Sequence, residues 1–154
     1  MVTRWLVVGV MLAGVVLASL AVARAEHKPK FPPGPIRDRN ELMEQIGKNA
    51  KTIGDAIKAG QLGPVEGAAE TIHADAAKIT GLFPPGSTDP KSRAKPEIWT
   101  NWAKFAASAK DLQSTAAALA AAAKSGADVP GAAKTMFGAC KSCHDDFRVP
   151  EKKK

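Results

Sequence analysis

The sequence predicts an all-α chain folded as an antiparallel four-helix bundle, running up-down-up-down. Three observations carry this. Between residues 37 and 150, apolar side chains recur at three- and four-residue spacing in four separate runs. No stretch alternates apolar and polar residues as a strand would. Proline and glycine stand at the borders of the runs, and the connections are mostly short, which suits antiparallel neighbours.

The first run spans about Asp38 to Ala59, with Leu42, Ile46, Ile53 and Ile57 on one face. Asp38 and Glu41 have the spacing of a capping box, and Gly60 closes the helix. The second spans about Pro64 to Leu82, its stripe marked by Val65, Ala69, Ile72, Ala76, Ile79 and Phe83. Gly63-Pro64 places proline at the first helical position, where its missing N–H costs nothing. Residues 84–95 read as an irregular polar connection. The third helix spans Pro96 to about Lys124, with Ile98, Trp102, Phe105, Ala109, Leu112, Ala116 and Leu119 facing inward. Ser125-Gly126-Ala127-Asp128 breaks the chain, and the fourth helix spans about Pro130 to Val149. Ala133, Met136, Phe137, Cys140, His144 and Phe147 share its inner face.

Residues 1–25 read as a signal peptide. A basic start (Met1-Val2-Thr3-Arg4) precedes an apolar run from Trp5 to Val22 and the small-residue ending Ala23-Arg24-Ala25. The run is borderline for spanning a hydrocarbon core of about 30 Å, so an uncleaved anchor is the competing reading. Either way the folded part is exported, and the periplasm is the expected compartment. Cleavage of 25 residues from 154 leaves 129, about one domain. Residues 26–36 hold four prolines and are expected to form an extended leader before a domain at 37–150. Residues 151–154 form a basic tail.

The net charge is +7, and losing Arg4 and Arg24 lowers it to about +5. Such a surplus favours encounter with protein partners that present acidic surfaces. Nucleic-acid binding is not expected, since the lysines are not interleaved with aromatics; nor is stable membrane insertion after cleavage. Alanine is abundant, tyrosine is absent and aromatics make up 5%. A bundle of this size normally fills its centre with larger apolar side chains. Something other than side chains is expected in the middle.

Cys140-Lys141-Ser142-Cys143-His144 is the C-x-x-C-H haem-attachment signature. Two thiols three residues apart on a helix lie on one side and can both reach the two vinyl groups on adjacent porphyrin edges. His144 follows one turn after Cys140 and can bind the iron from below. A thioredoxin-type C-x-x-C belongs at a strand-to-helix junction, which an α-only context lacks. A zinc site needs about four ligands, and two Cys with three scattered His supply no second pair. A plain disulfide leaves His144 without a role. The expected cofactor is therefore one covalent haem c, enclosed by the bundle.

A sixth iron ligand has to come from a facing helix, and Met43 is the best candidate. Gly47, Ala50 and Gly54 follow on its side of the first helix. Interior glycines cost about 1 kcal/mol each against alanine, a cost that a groove for a flat ring would explain. Met43 as ordinary core is the alternative. Met136 shares a helix with His144 and would not reach the opposite haem face, His73 reads as a surface histidine, and His27 lies in the leader. Met1 and Met11 leave with the signal.

The chain resembles the class II c-type cytochromes, the cytochrome c′ family, over nearly all of residues 37–150. The matching stretches are Arg39-Asn40-Glu41-Leu42-Met43, Lys95-Pro96-Glu97-Ile98-Trp99 and Gly138 to Arg148 around the attachment motif. The resemblance implies a four-helix bundle with the motif near its C-terminal end. It implies that Arg39 lies near a haem propionate and Arg148 by the proximal imidazole, although both could equally be solvated arginines. Trp99 resembles a pocket-edge aromatic, and core packing accounts for it as well. Members with an apolar, non-coordinating residue at the position of Met43 tend to be five-coordinate, high-spin and able to bind gases such as nitric oxide. Members with methionine there look like a low-spin, His/Met-ligated branch that carries electrons. Methionine points to that branch and to an electron carrier ligated by His144 and Met43, with the gas-binding form as the alternative. No Ser/His/Asp set or paired-carboxylate cleft suggests an enzyme. Some members are dimers, so a homodimer is a further expectation.

Overall fold

The computed structural model describes residues 29–150. The segment read as a signal peptide, His27 and the basic tail lie outside them. Four long helices dominate: α1 Pro35–Lys58, α2 Gly63–Ala76, α4 Trp102–Ser125 and α5 Val129–Phe147, with a single-turn α3 at Glu97–Thr100. Among the described residues there is no strand, only one isolated antiparallel bridge between Ala94 and Arg148. No described helix is long and apolar enough to cross a membrane.

The apolar stripes meet as their spacing predicts. Ile53, Val65, Ala69, Ile72, Ala116, Leu119 and Met136 are wholly buried in one core. Helix α2 packs against α1 and α4, and α4 packs against α5, so each helix lies beside its neighbours in sequence. The pair that would close the ring, α1 with α5, touches far less. That unclosed seam is where the site forms.

Two glycines end helices in left-handed conformations that a Cβ would strain. Gly60 (φ 66°) lets the amide of Gln61 reach the carbonyl of Ala56 at 2.9 Å, and Gly126 (φ 72°) lets Ala127 reach Ala122 at 3.0 Å.

Four boundaries differ from the sequence expectation. Helix α1 starts at Pro35, inside the stretch read as leader, because proline is well suited to the first helical position. Asp38 therefore lies in the first turn and is not the cap. Helix α2 stops at Ala76, and a 3-10 turn at Thr80–Leu82 carries the buried stripe on through Ile79 and Phe83. The third predicted helix breaks at Asn101 (φ −119°, ψ 45°), and the break turns Trp102 outward. Trp102 was expected to face inward and is 41% exposed instead. Helix α5 ends at Phe147, because Arg148 is extended and pairs with Ala94.

Candidate haem site

Helix α5 begins at a built cap: the Asp128 carboxylate accepts from the amide of Gly131 at 2.9 Å, and Pro130 occupies the first turn. The helix then carries Cys140, Cys143 and His144 to the seam beside α1. Both cysteines are free thiols, half-buried and packed on the core.

Between α1 and α5 lies a cavity of about 510 Å³. Met43, Arg39 and Gly47 line it from α1; Cys143 and His144 line it from α5, and Arg148 from just beyond its end; Phe83 and Ile98 close its apolar side. Five of the six residues singled out from the sequence thus face one space. The sixth, Cys140, sits one turn before His144 and packs against the core instead of lining the cavity. On the α1 wall, a Cβ built at Gly47 meets nothing within 4 Å. Of the two other residues proposed for the groove, Ala50 packs on the core and Gly54 does not line the cavity.

Arg39 is no solvated arginine. It is 4% exposed, and its guanidinium donates to the hydroxyl of Ser87 at 2.8 Å and to the carbonyl of Ser87 at 2.7 Å. It also stacks 4.6 Å over the Phe83 ring. Burial pushes its pKa down from the ordinary value. Arg148 is half-buried on the cavity wall, and its amide donates to the carbonyl of His144 at 3.1 Å. Trp99 Nε1 donates to the carbonyls of Phe83 and Pro84, both at 3.2 Å, bracing the segment that carries Phe83.

His73, read as a surface histidine, is half-buried, with Nδ1 3.0 Å from the Gln113 carbonyl. Met136 is sealed in the core, as its place on α5 predicts. Sequence reasoning missed Phe31, which is buried at the cavity edge despite its proline-rich surroundings. It also missed Arg93, which lines the cavity from the 84–95 connection. Neither carries a local signal, since both contacts are made across the chain.

The electrostatics suit ligation of a metal by nitrogen. Burial, then the nearby Arg93 guanidinium, lowers the His144 pKa, with Asp145 opposing, so the imidazole is neutral at pH 7 and keeps a lone pair. Burial raises both thiols, and Cys143, with Cys140 and Asp146 adding to the effect, is pushed up to about 11. Such thiols are poor free nucleophiles, which does not fit a thioredoxin-like role. Among the described residues no three His, Cys, Asp or Glu side chains cluster as metal ligands, so the zinc alternative lacks its set. A neutral imidazole, two thiols on the same helix and an apolar cavity edged by Lys30, Lys91, Arg93 and Arg148 do fit a haem with two anionic propionates.

A family profile described as Cytochrome C′ matches residues 34–148. The chain belongs to the cytochrome c′ family. Among its relatives is the cytochrome c′ of Rhodopseudomonas palustris, 32% identical over 118 residues, covering 74% of this chain and 81% of that one. The crystal structure of cytochrome c′ from Thermochromatium tepidum is similar with a TM-score of 0.71 and 31% identity, covering 75% of this chain and 95% of that one. A second solved cytochrome c′, described as having an unusual ligand-controlled dimer dissociation, gives a TM-score of 0.70 at 30% identity and covers 78% of this chain and all of that one. As a cytochrome c′, the chain folds as a four-helix bundle and carries one covalently attached haem c. Membership by itself does not show the low-spin, His144/Met43-ligated branch expected from the sequence. Likeness to the cytochromes c′ fits the five-coordinate alternative better.

Proposed function

We propose that this cytochrome c′ holds its haem through thioethers at Cys140 and Cys143, takes His144 as the only protein ligand to iron, and binds a small gas such as nitric oxide on the α1 side. The observation that carries this reading is the likeness to the cytochromes c′ in sequence and fold, together with the cavity of about 510 Å³ that opens between His144 and the α1 wall. When bound, the haem supplies a redox-active iron able to coordinate a diatomic gas. The chain supplies the rest. The last two turns of α5 orient the imidazole, and burial keeps it unprotonated. Phe83, Ile98 and Phe147 exclude water from the cavity. Arg148 lies beside His144 on the cavity wall. The cationic edge at Lys30, Lys91 and Arg93 would hold the propionates together with Arg39, and Arg39, engaged with Ser87, also holds the adjoining connection in place.

A second reading is favoured by one observation, that Met43 and His144 line the same cavity from α1 and α5. In that case methionine sulfur fills the sixth position and the protein carries electrons between partners with acidic docking surfaces. The ferric optical spectrum separates the two. High-spin bands, with rapid carbon monoxide uptake on reduction and no change of spin state in Met43→Ala, support the gas binder. Low-spin bands, with a weak sulfur-to-iron charge-transfer band that vanishes in Met43→Ala, overturn it in favour of the carrier.

In either case export to the periplasm by residues 1–25 supplies the compartment in which c-type haem attachment and these partners belong. Homodimer formation is part of the proposal too. It is supported by the solved relative described as a dimer that dissociates under ligand control.

A further inference from the structure

His144 lies three residues before the end of α5, a place where helices fray. Its own carbonyl is satisfied by the amide of Arg148. The next three carbonyls, those of Asp145, Asp146 and Phe147, have no donor within the helix. One residue serves all three. The Lys95 ammonium donates to Asp145 at 2.8 Å and to Asp146 at 3.0 Å, and the Lys95 amide donates to Phe147 at 3.0 Å. The amide of Val149 returns to the carbonyl of Arg93 at 2.8 Å, so the connection is also pinned two residues before Lys95. A cation at this end also opposes the negative pole of the helix dipole.

Upstream of His144, the two thioethers tie the helix to the ring. Downstream, nothing covalent holds it. We propose that Lys95 is a positioning residue for the His144 imidazole, a reading that rests on His144 being the axial ligand. Lys95 locks the last turn of α5, and through it the angle at which the imidazole meets the iron. Its charge, set at the proximal end of the site, also favours the reduced form.

The test uses the matured haem protein and Lys95→Met, which removes the ammonium and leaves the Lys95 amide bond to Phe147 intact. The iron–imidazole stretching band of the ferrous protein, read by resonance Raman, is expected to broaden or split in Lys95→Met, with a fall in reduction potential. Lys95→Arg, which can still span two carbonyls, is expected to restore the single narrow band. If Lys95→Met fails to mature, Lys95→Gln is read instead, with an intermediate band expected. A wild-type band and potential in either neutral variant, whatever the change in melting temperature, overturn the proposal and leave Lys95 a helix cap only. Absence of any iron–imidazole band in a high-spin ferrous spectrum of the unaltered protein overturns the His144 assignment, and the Lys95 proposal with it. Absence in a low-spin spectrum overturns the five-coordinate reading alone, and an unchanged potential in Lys95→Met then overturns the Lys95 proposal.

Discussion

The guanidinium of Arg39, on α1, grips both the hydroxyl and the carbonyl of Ser87, at 2.8 and 2.7 Å, across 48 residues of chain. Ser87 in turn donates to the carbonyl of Pro84, so the arginine meets a hydroxyl already oriented to accept. The bond fastens the irregular connection to α1, while Lys95 fastens the far end of that connection to α5. The segment from Phe83 to Lys95 is therefore a strap across the seam that α1 and α5 leave unclosed. It carries Phe83 and Arg93 to the cavity.

Replacing Arg39 by leucine removes two short charge-assisted bonds from its buried side chain and leaves the half-buried Ser87 carbonyl without that donor. The expected cost is about 2–3 kcal/mol of unfolding free energy, measured by urea denaturation of the haem protein. Arg39→Lys should recover only part of it, because an ammonium lacks the fork that spans both oxygens. Equal stability of the leucine variant and the parent would show that the strap does not depend on this grip.

The Asp128 cap sets up a coupled pair. A Cβ on Gly131 would lie 2.1 Å from Asp128 Oδ2, displacing the carboxylate that caps α5. Asp128→Ala should cost about 1 kcal/mol. Gly131→Ala should be near neutral, since a helix-propensity gain of about 1 kcal/mol offsets the lost cap. Combined with Asp128→Ala, the same glycine change should become stabilising. A double-mutant cycle in thermal unfolding measures this, and strict additivity would refute it.

In the haem-free chain the thiols link stability to pH. Folding raises Cys143 from 9.0 to about 11 and raises Cys140 in the same direction. Between those values the folded chain keeps a proton that the unfolded chain has released. The stabilising contribution is therefore fully present below about pH 9 and is lost as pH rises through about 11. Urea unfolding of the reduced, haem-free chain should show lower stability at pH 10 than at pH 8, with a smaller drop when both cysteines are serine. An identical drop in the serine variant would count against thiol burial.

How much of this was legible in the sequence follows from the range of each interaction. Cys140, Cys143 and His144 are separated by single-turn spacing, so their common side of a helix could be read directly. The buried stripes from Ile53 to Leu119 were legible because the helical period recurs over many turns. The break at Asn101 was not, because one residue leaving helical geometry does not disturb the apolar period on either side of it. Trp102 was misplaced for that reason. Arg39 reads as surface by residue type, and only the tertiary fold supplies Ser87 and Phe83 to bury it. Lys95 and Arg93 act on α5 from about 50 residues away, a separation over which no local pattern reports.

The most direct test is a proteolytic digest of the mature protein followed by mass spectrometry of the coloured fragment. One peptide spanning Cys140 to His144 should carry the added mass of a single haem on both cysteines, and the colour should stay with the protein in acidified organic solvent. A peptide with two alkylatable thiols at Cys140 and Cys143, or haem that extracts into the solvent, would contradict the account.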